Sequence, residues 1–151
     1  MAKSLPYENA TSGKTALLEM QKIVAAFGAT SFGCMEDFAK GEVIIQFEHH
    51  GRRVTLAASA KGYAAAWLRM HPWKSARQVR REDYERRALK QGSVAVYSIL
   101  RDWIKGQVTA VECGILEFES AFLGQIMLPS GRTVYDTISH QGLLAPPKER
   151  K

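Results

Sequence analysis

No proline falls between Ser75 and Glu112, and over that stretch the apolar residues keep helical spacing. Leu89, Val96, Leu100, Trp103, Ile104, Val108, Val111 and Ile115 share one broad face at 100° per residue, while Arg80, Arg87, Lys90, Arg101 and Lys105 gather on the opposite one. Ser75-Ala76-Arg77-Gln78 has the spacing of a capping box, which puts the expected helix start there. A single helix over 76–112 would be about 55 Å long at 1.5 Å per residue. A globule of 151 residues has a radius of gyration of only about 15 Å. Such a rod must either project, into a dimer for instance, or break. Gly92 is its weakest point, because glycine disfavours helix interiors, and a break or bend is expected there.

The residues before this stretch alternate between the two periodicities. Thr11 or Ser12 can cap a helix whose Leu17, Met20, Val24 and Phe27 recur at three and four residues, and Gly28 is placed to end it. Three strands are then expected at 30–37, 42–49 and 52–59. Val43, Ile45 and Phe47 share one face of the second, and Val54, Leu56 and Ala58 one face of the third. Lys40-Gly41 and His50-Gly51 supply the turns of an antiparallel meander. A helix over 61–70 carries Tyr63, Trp67 and Met70 on one side and stops at Pro72. After Gly114 a short helix is expected around Leu116, Phe118, Phe122 and Leu123, and another from Thr133. The fold class predicted is α+β: an N-terminal helix, a three-stranded antiparallel meander and a helical C-terminal half. Residues 1–11 are expected to be a flexible arm, 12–142 a single domain and 143–151 a flexible tail.

Charge supplies the main functional signal. Between residues 69 and 90, eight lysines and arginines stand against Glu82, Asp83 and Glu85, an excess of five in a chain whose formal total is +6. Trp67, Trp73 and Tyr84 are interleaved with them. Concentrated basic charge with aromatic neighbours is the footprint of a polyanion binder, nucleic acid first. Arg77, Arg80, Arg81, Arg87 and Lys90 are the candidate phosphate contacts. Trp73 either stacks on a base or plugs the gap between two helices.

Chemistry of other kinds leaves little trace. Ser12-Gly13-Lys14-Thr15 ends like a phosphate-binding loop, but the position that must be glycine is Glu8 and no strand precedes it. His49 and His50 read as a surface pair at a hairpin end, and the two remaining histidines, His71 and His140, add no close-spaced metal signature. Glu19, Asp37 and Glu48 are the weak candidates for a metal-dependent nuclease. No catalytic residue, metal ligand or cofactor is assigned, and no enzyme activity is expected. Cys34 and Cys113 lie far apart and no apolar leader precedes them, so free thiols and an intracellular location are expected, with no membrane partner.

The run from Trp103 to Ile115, then Phe118-Glu119, Ala121-Phe122-Leu123 and the stretch from Leu128 to Val134, resembles small hypothetical proteins of tailed bacteriophages and prophages. Phe27-Gly28-Ala29 followed by Gly51-Arg52-Arg53-Val54 carries the likeness into the N-terminal half. The resemblance implies a phage or prophage origin and a cytoplasmic location in a bacterial host, and transfers no catalytic residue. The expected function is that of a phage accessory protein binding DNA or RNA. A phage protein that binds and redirects a host protein is the alternative, followed by a single-strand annealing factor or a virion assembly component. A homodimer through the apolar face after Leu89 is a further expectation.

Overall fold

The computed structural model describes residues 4–148. Helix α1 (Gly13–Phe27) starts where the Ser12 hydroxyl accepts the Thr15 amide at 3.1 Å. It stops at Gly28, whose φ of 102° suits a residue without a Cβ. The amides of Gly28 and Ala29 return to the Ala25 and Val24 carbonyls there. Ala16, Met20 and Val24 form its buried stripe.

Strands β1 (Ser31–Asp37), β2 (Glu42–His49) and β3 (Arg52–Ser59) form the expected antiparallel sheet in the order β1-β2-β3. The turn between β2 and β3 has two residues, His50 and Gly51, both with positive φ, which matches the right-handed twist of the strands. Central β2 alternates strictly, burying Val43, Ile45, Phe47 and His49 on the face covered by helices. Beyond β3, the Met127 amide donates to the Arg53 carbonyl at 2.8 Å and Ile126 bridges to Val54.

Helix α2 (Ala60–Met70) begins at Ser59, whose hydroxyl accepts the Gly62 amide. Helix α3 (Arg81–Glu112) then runs 32 residues, about 48 Å at 1.5 Å per residue. It does not break at Gly92, contrary to expectation. A Cβ at Gly92 would stand 2.9 Å from the Ala60 carbonyl oxygen and 3.5 Å from the Ala64 Cβ. The glycine therefore lets the backbones of α2 and α3 approach, and the packing offsets its propensity cost of about 1 kcal/mol. The rod need not project, because α2 lies against its first half while α1 and the sheet cover its second. Val96, Leu100, Ile104 and Val108 sit in that core, so the apolar face once available for a dimer is occupied within the chain.

The helix also starts later than the capping-box spacing suggests. Residues 71–80 are a loop and Arg80 takes the N-cap position. The Trp73 indole N–H donates to the Val79 carbonyl at 2.8 Å, and the Arg77 amide to the Lys74 carbonyl, which commits this segment to a turn. Glu82 and Asp83 in the first turn then complement the helix dipole.

Helix α4 (Phe118–Phe122) runs into a single 3-10 turn (Leu123–Gln125), with Leu116 outside both. Phe122 is fully buried and meets Phe47 edge to face at 5.6 Å. Helix α5 (Val134–His140) is capped by Thr133. Residues 4–11 are held against the helices: Gln91 donates to the Glu8 and Ala10 carbonyls, and the Tyr63 hydroxyl to the Pro6 carbonyl. Residues 143–148 are exposed, and the remainder of the expected arm and tail, 1–3 and 149–151, lies outside the described residues.

Candidate nucleic-acid interface

The loop 71–80 and the first turns of α3 gather the candidate residues. Arg77, Arg80, Arg81, Arg87 and Lys90 are all solvent-exposed. Three of the arginines in this region are internally engaged. Arg80 and Arg86 both reach Asp83, at 3.2 and 2.9 Å, and Arg81 reaches Glu85 at 3.0 Å. The Asp83 carboxyl is held below the usual carboxylate range, first by the Arg80 hydrogen bond and then by the charges of Arg80 and Arg86. Exposed pairs of this kind add little stability and remain open to a stronger anion.

Arg87 and Lys90 have no acidic partner among the described residues, and they stand three apart on one side of α3. Arg77 likewise has none; its guanidinium lies 4.9 Å from the centre of the Tyr84 ring. Trp73 is half-buried with its N–H committed to Val79, so it closes the loop rather than standing free as a platform.

The basic stripe does not continue down the helix as its periodicity suggests. Arg101 is drawn inward between Glu19 at 3.2 Å and Asp102 at 3.0 Å. The Tyr7 hydroxyl donates to the other Asp102 oxygen at 2.6 Å. That bond, followed by the one from Arg101, holds the Asp102 carboxyl low. Of the distal pair only Lys105 remains exposed.

Behind the arginines lies a cavity of about 450 Å³ enclosed by residues 8–9, the end of α2 and the start of α3. Trp67 stands 4.7 Å from the His71 ring and 5.5 Å from the Tyr84 ring, and the Tyr84 hydroxyl donates to the His71 carbonyl at 2.6 Å. Arg87 stands at the edge of this cavity. Sequence reasoning noted Trp67 and Tyr84 beside the charges but not that they converge. The four-residue step from Trp67 to His71 is the signal that could have found it.

Elsewhere the residues weighed for catalysis are dispersed or quenched. Gly13 opens α1 with no strand before it among the described residues, and the Ser12–Thr15 segment is a capped helix start. Glu19 pairs with Arg101, the Asp37 carboxylate accepts the Lys40 amide, and Glu48 faces Arg53. Among the described residues no group of three or more His, Cys, Asp or Glu could hold a metal ion.

The histidines are not a surface pair. His49 is buried and packs against both Phe27 at 4.2 Å and Phe118 at 4.8 Å, rings that also meet each other, while His50 occupies the turn. The reason is register: His49 continues the buried alternation of β2 by one more step.

The Tyr97 hydroxyl donates to Glu36 at 2.8 Å and lies 3.6 Å from the Cys34 sulfur. Burial first, then these two neighbours, raises the Tyr97 phenol well above its ordinary range. Burial likewise raises the Cys34 thiol, so neither group is an activated nucleophile. No helix among the described residues is long and apolar enough to cross a membrane. No protein-family model, no curated protein and no solved structure matches this chain.

Proposed function

We propose that this protein is a non-enzymatic accessory factor, of the phage origin its sequence resemblance implies, that binds nucleic acid through the basic loop 71–80 and the first turns of α3. The observation that carries the reading is the exposed trio Arg77, Arg87 and Lys90. They lack acidic partners among the described residues and lie beside three more arginines that share only two carboxylates. A phosphate backbone meeting this surface releases condensed counterions, which drives association and makes it salt-dependent. Fluorescence anisotropy of labelled single-stranded DNA, duplex DNA and RNA across a salt series tests it. Affinity should fall steeply with salt and drop further in Arg87→Glu plus Lys90→Glu; a folded double variant with unchanged affinity would refute the assignment.

A host-protein partner is the second reading. Phe38 is 85% exposed in the turn between β1 and β2. It borders a groove of about 600 Å³ lined by Leu17 and Leu89 together with Lys14, Arg86 and Lys90, and by Glu36, whose carboxylate is engaged by the Tyr97 hydroxyl. A basic rim around apolar residues suits an acidic amphipathic segment. Phe38→Ser separates the readings: nucleic-acid affinity should survive it, whereas docking of such a segment would not.

A further inference from the structure

We propose that the cavity between residues 8–9, α2 and α3 receives one unstacked base of a single-stranded nucleic acid, while Arg87 and Arg77 hold the adjoining phosphates. This deepens the nucleic-acid reading above and rests on it.

Three observations converge on this site. The cavity is large enough for a base, at about 450 Å³, and Trp67, His71 and Tyr84 supply its aromatic surface. Aromatic rings stack on any base, because every base has a π-face. The second observation is an orphaned polar atom. His71 Nε2 is buried with no hydrogen-bond partner, its nearest acidic neighbour being the Glu8 carboxylate at 3.6 Å. Buried polar atoms are nearly always paired in folded proteins, and this nitrogen belongs to a residue of the cavity lining yet has no partner of its own.

The third observation is the arrangement of charge. The Glu8 carboxylate is mostly buried at the cavity wall, where it also accepts the Leu5 amide at 3.0 Å. Its negative charge excludes a phosphate from the interior but welcomes an amino group on a base edge. The cations stand outside this acidic wall: Arg87 lines the cavity, and Arg77, outside the lining itself, lies over the ring of its wall residue Tyr84. A nucleotide therefore has one orientation that satisfies every group, base inward and phosphate outward. In duplex DNA the base is stacked and paired, and its insertion would cost the flipping energy.

The test compares a labelled oligoadenylate DNA strand with an abasic strand of equal length, by anisotropy at one low salt concentration. Two variants accompany the natural sequence: Asn9→Leu, which narrows the mouth from an exposed position without adding a ring, and His71→Phe, which keeps a ring but removes the orphaned nitrogen. Circular dichroism confirms that each is folded. The base-bearing strand should bind roughly tenfold more tightly than the abasic one, the scale of stacking one base on an aromatic ring. Asn9→Leu should shrink that difference and His71→Phe reduce it, with abasic affinity unchanged in both.

Equal binding of the two strands, still abolished by Arg77→Glu plus Arg87→Glu, would overturn the pocket and leave the basic interface standing. A preference for bases that survives both Asn9→Leu and His71→Phe undiminished would place stacking elsewhere and overturn it too. Absence of binding by either strand would remove both the pocket and the interface.

Discussion

The two halves of α3 belong to one continuous helix yet live in different surroundings. From Val96 onward it is a core element: Leu100, Ile104 and Val108 are buried against α1 and the sheet, and its arginine is neutralised by Glu19 and Asp102. Before Gly92 it is a surface element that buries only Tyr84 and Ala88 and offers Arg87 and Lys90 to solvent. An arginine in the first half is therefore available, and one in the second is structural. Charge counts along a helix cannot separate the two, because the separation is made by what packs on each half.

The sharpest break between the halves is energetic. Ile104→Ala empties a fully buried site and should cost about 2–5 kcal/mol. Arg87→Ala, exposed and without an acidic partner among the described residues, should stay within about 0.5 kcal/mol. Urea denaturation of the two variants measures both. Comparable losses would mean that the first half is as much a part of the core as the second.

The junction between them is the next point of attack. Gly92→Val forces side-chain atoms against the Ala60 carbonyl, where even a Cβ would stand at 2.9 Å, and should cost about 1–3 kcal/mol through strain between α2 and α3. The strain should also disturb the Trp67 cluster more than the Phe47–Phe122 core, which tryptophan fluorescence can follow. A neutral or stabilising effect would show that α2 is free to move away.

Gly92 also shows where sequence reasoning stopped. Both internal strand boundaries, the cap at Ser12 and the glycine end of α1 are set by contacts within a few residues, so local patterns reveal them. The continuity of α3 is set by a contact with α2 some thirty residues earlier, which no local pattern contains. The loop at 71–80 is a similar case. Its capping-box residues are present, but the Trp73–Val79 hydrogen bond holds the chain in a different shape. The buried side of His49 follows from the alternation of β2, whereas its two ring partners come from α1 and α4 and leave no local trace. Within the candidate interface, Arg80, Arg87 and Lys90 are exposed as their helical spacing suggested, while Arg101 of the same stripe is not. The aromatic cavity behind them was hidden because its walls come from three separate segments.

If the first half is the binding half, function should follow charge there and not farther along. Arg87→Glu plus Lys90→Glu should leave the denaturation midpoint nearly unchanged. Two lost phosphate contacts should lower the slope of log affinity against log salt by about 1.4 on single strands, at about 0.7 per contact. Lys105→Glu, exposed on the second half, should leave the slope unaltered. An equal change from Lys105 would extend the interface along the whole helix and end the distinction drawn here.

The smallest effect is a pH dependence beyond the far end of α3, where α4 places Phe118 on His49. Burial first, then the neighbouring His50, lowers the His49 pKa, while a hydrogen bond to the Phe27 backbone opposes the shift. The folded protein therefore binds this proton less readily than the unfolded chain, whose histidine titrates near 6.5. The stabilising contribution is complete above that pH and is lost as the pH falls through the lowered folded value. The carboxylates held low, Asp83 and Asp102, stay ionised in both states over most of this range and begin to matter only in stronger acid. The thermal midpoint should thus decline modestly between about pH 7 and pH 5. His49→Phe keeps the stack with Phe27 and Phe118 and removes the proton, so it should flatten that decline whatever it does to the midpoint itself. A decline of the same steepness in the variant would place the titrating group elsewhere and leave the core end of the molecule without a pH response of its own.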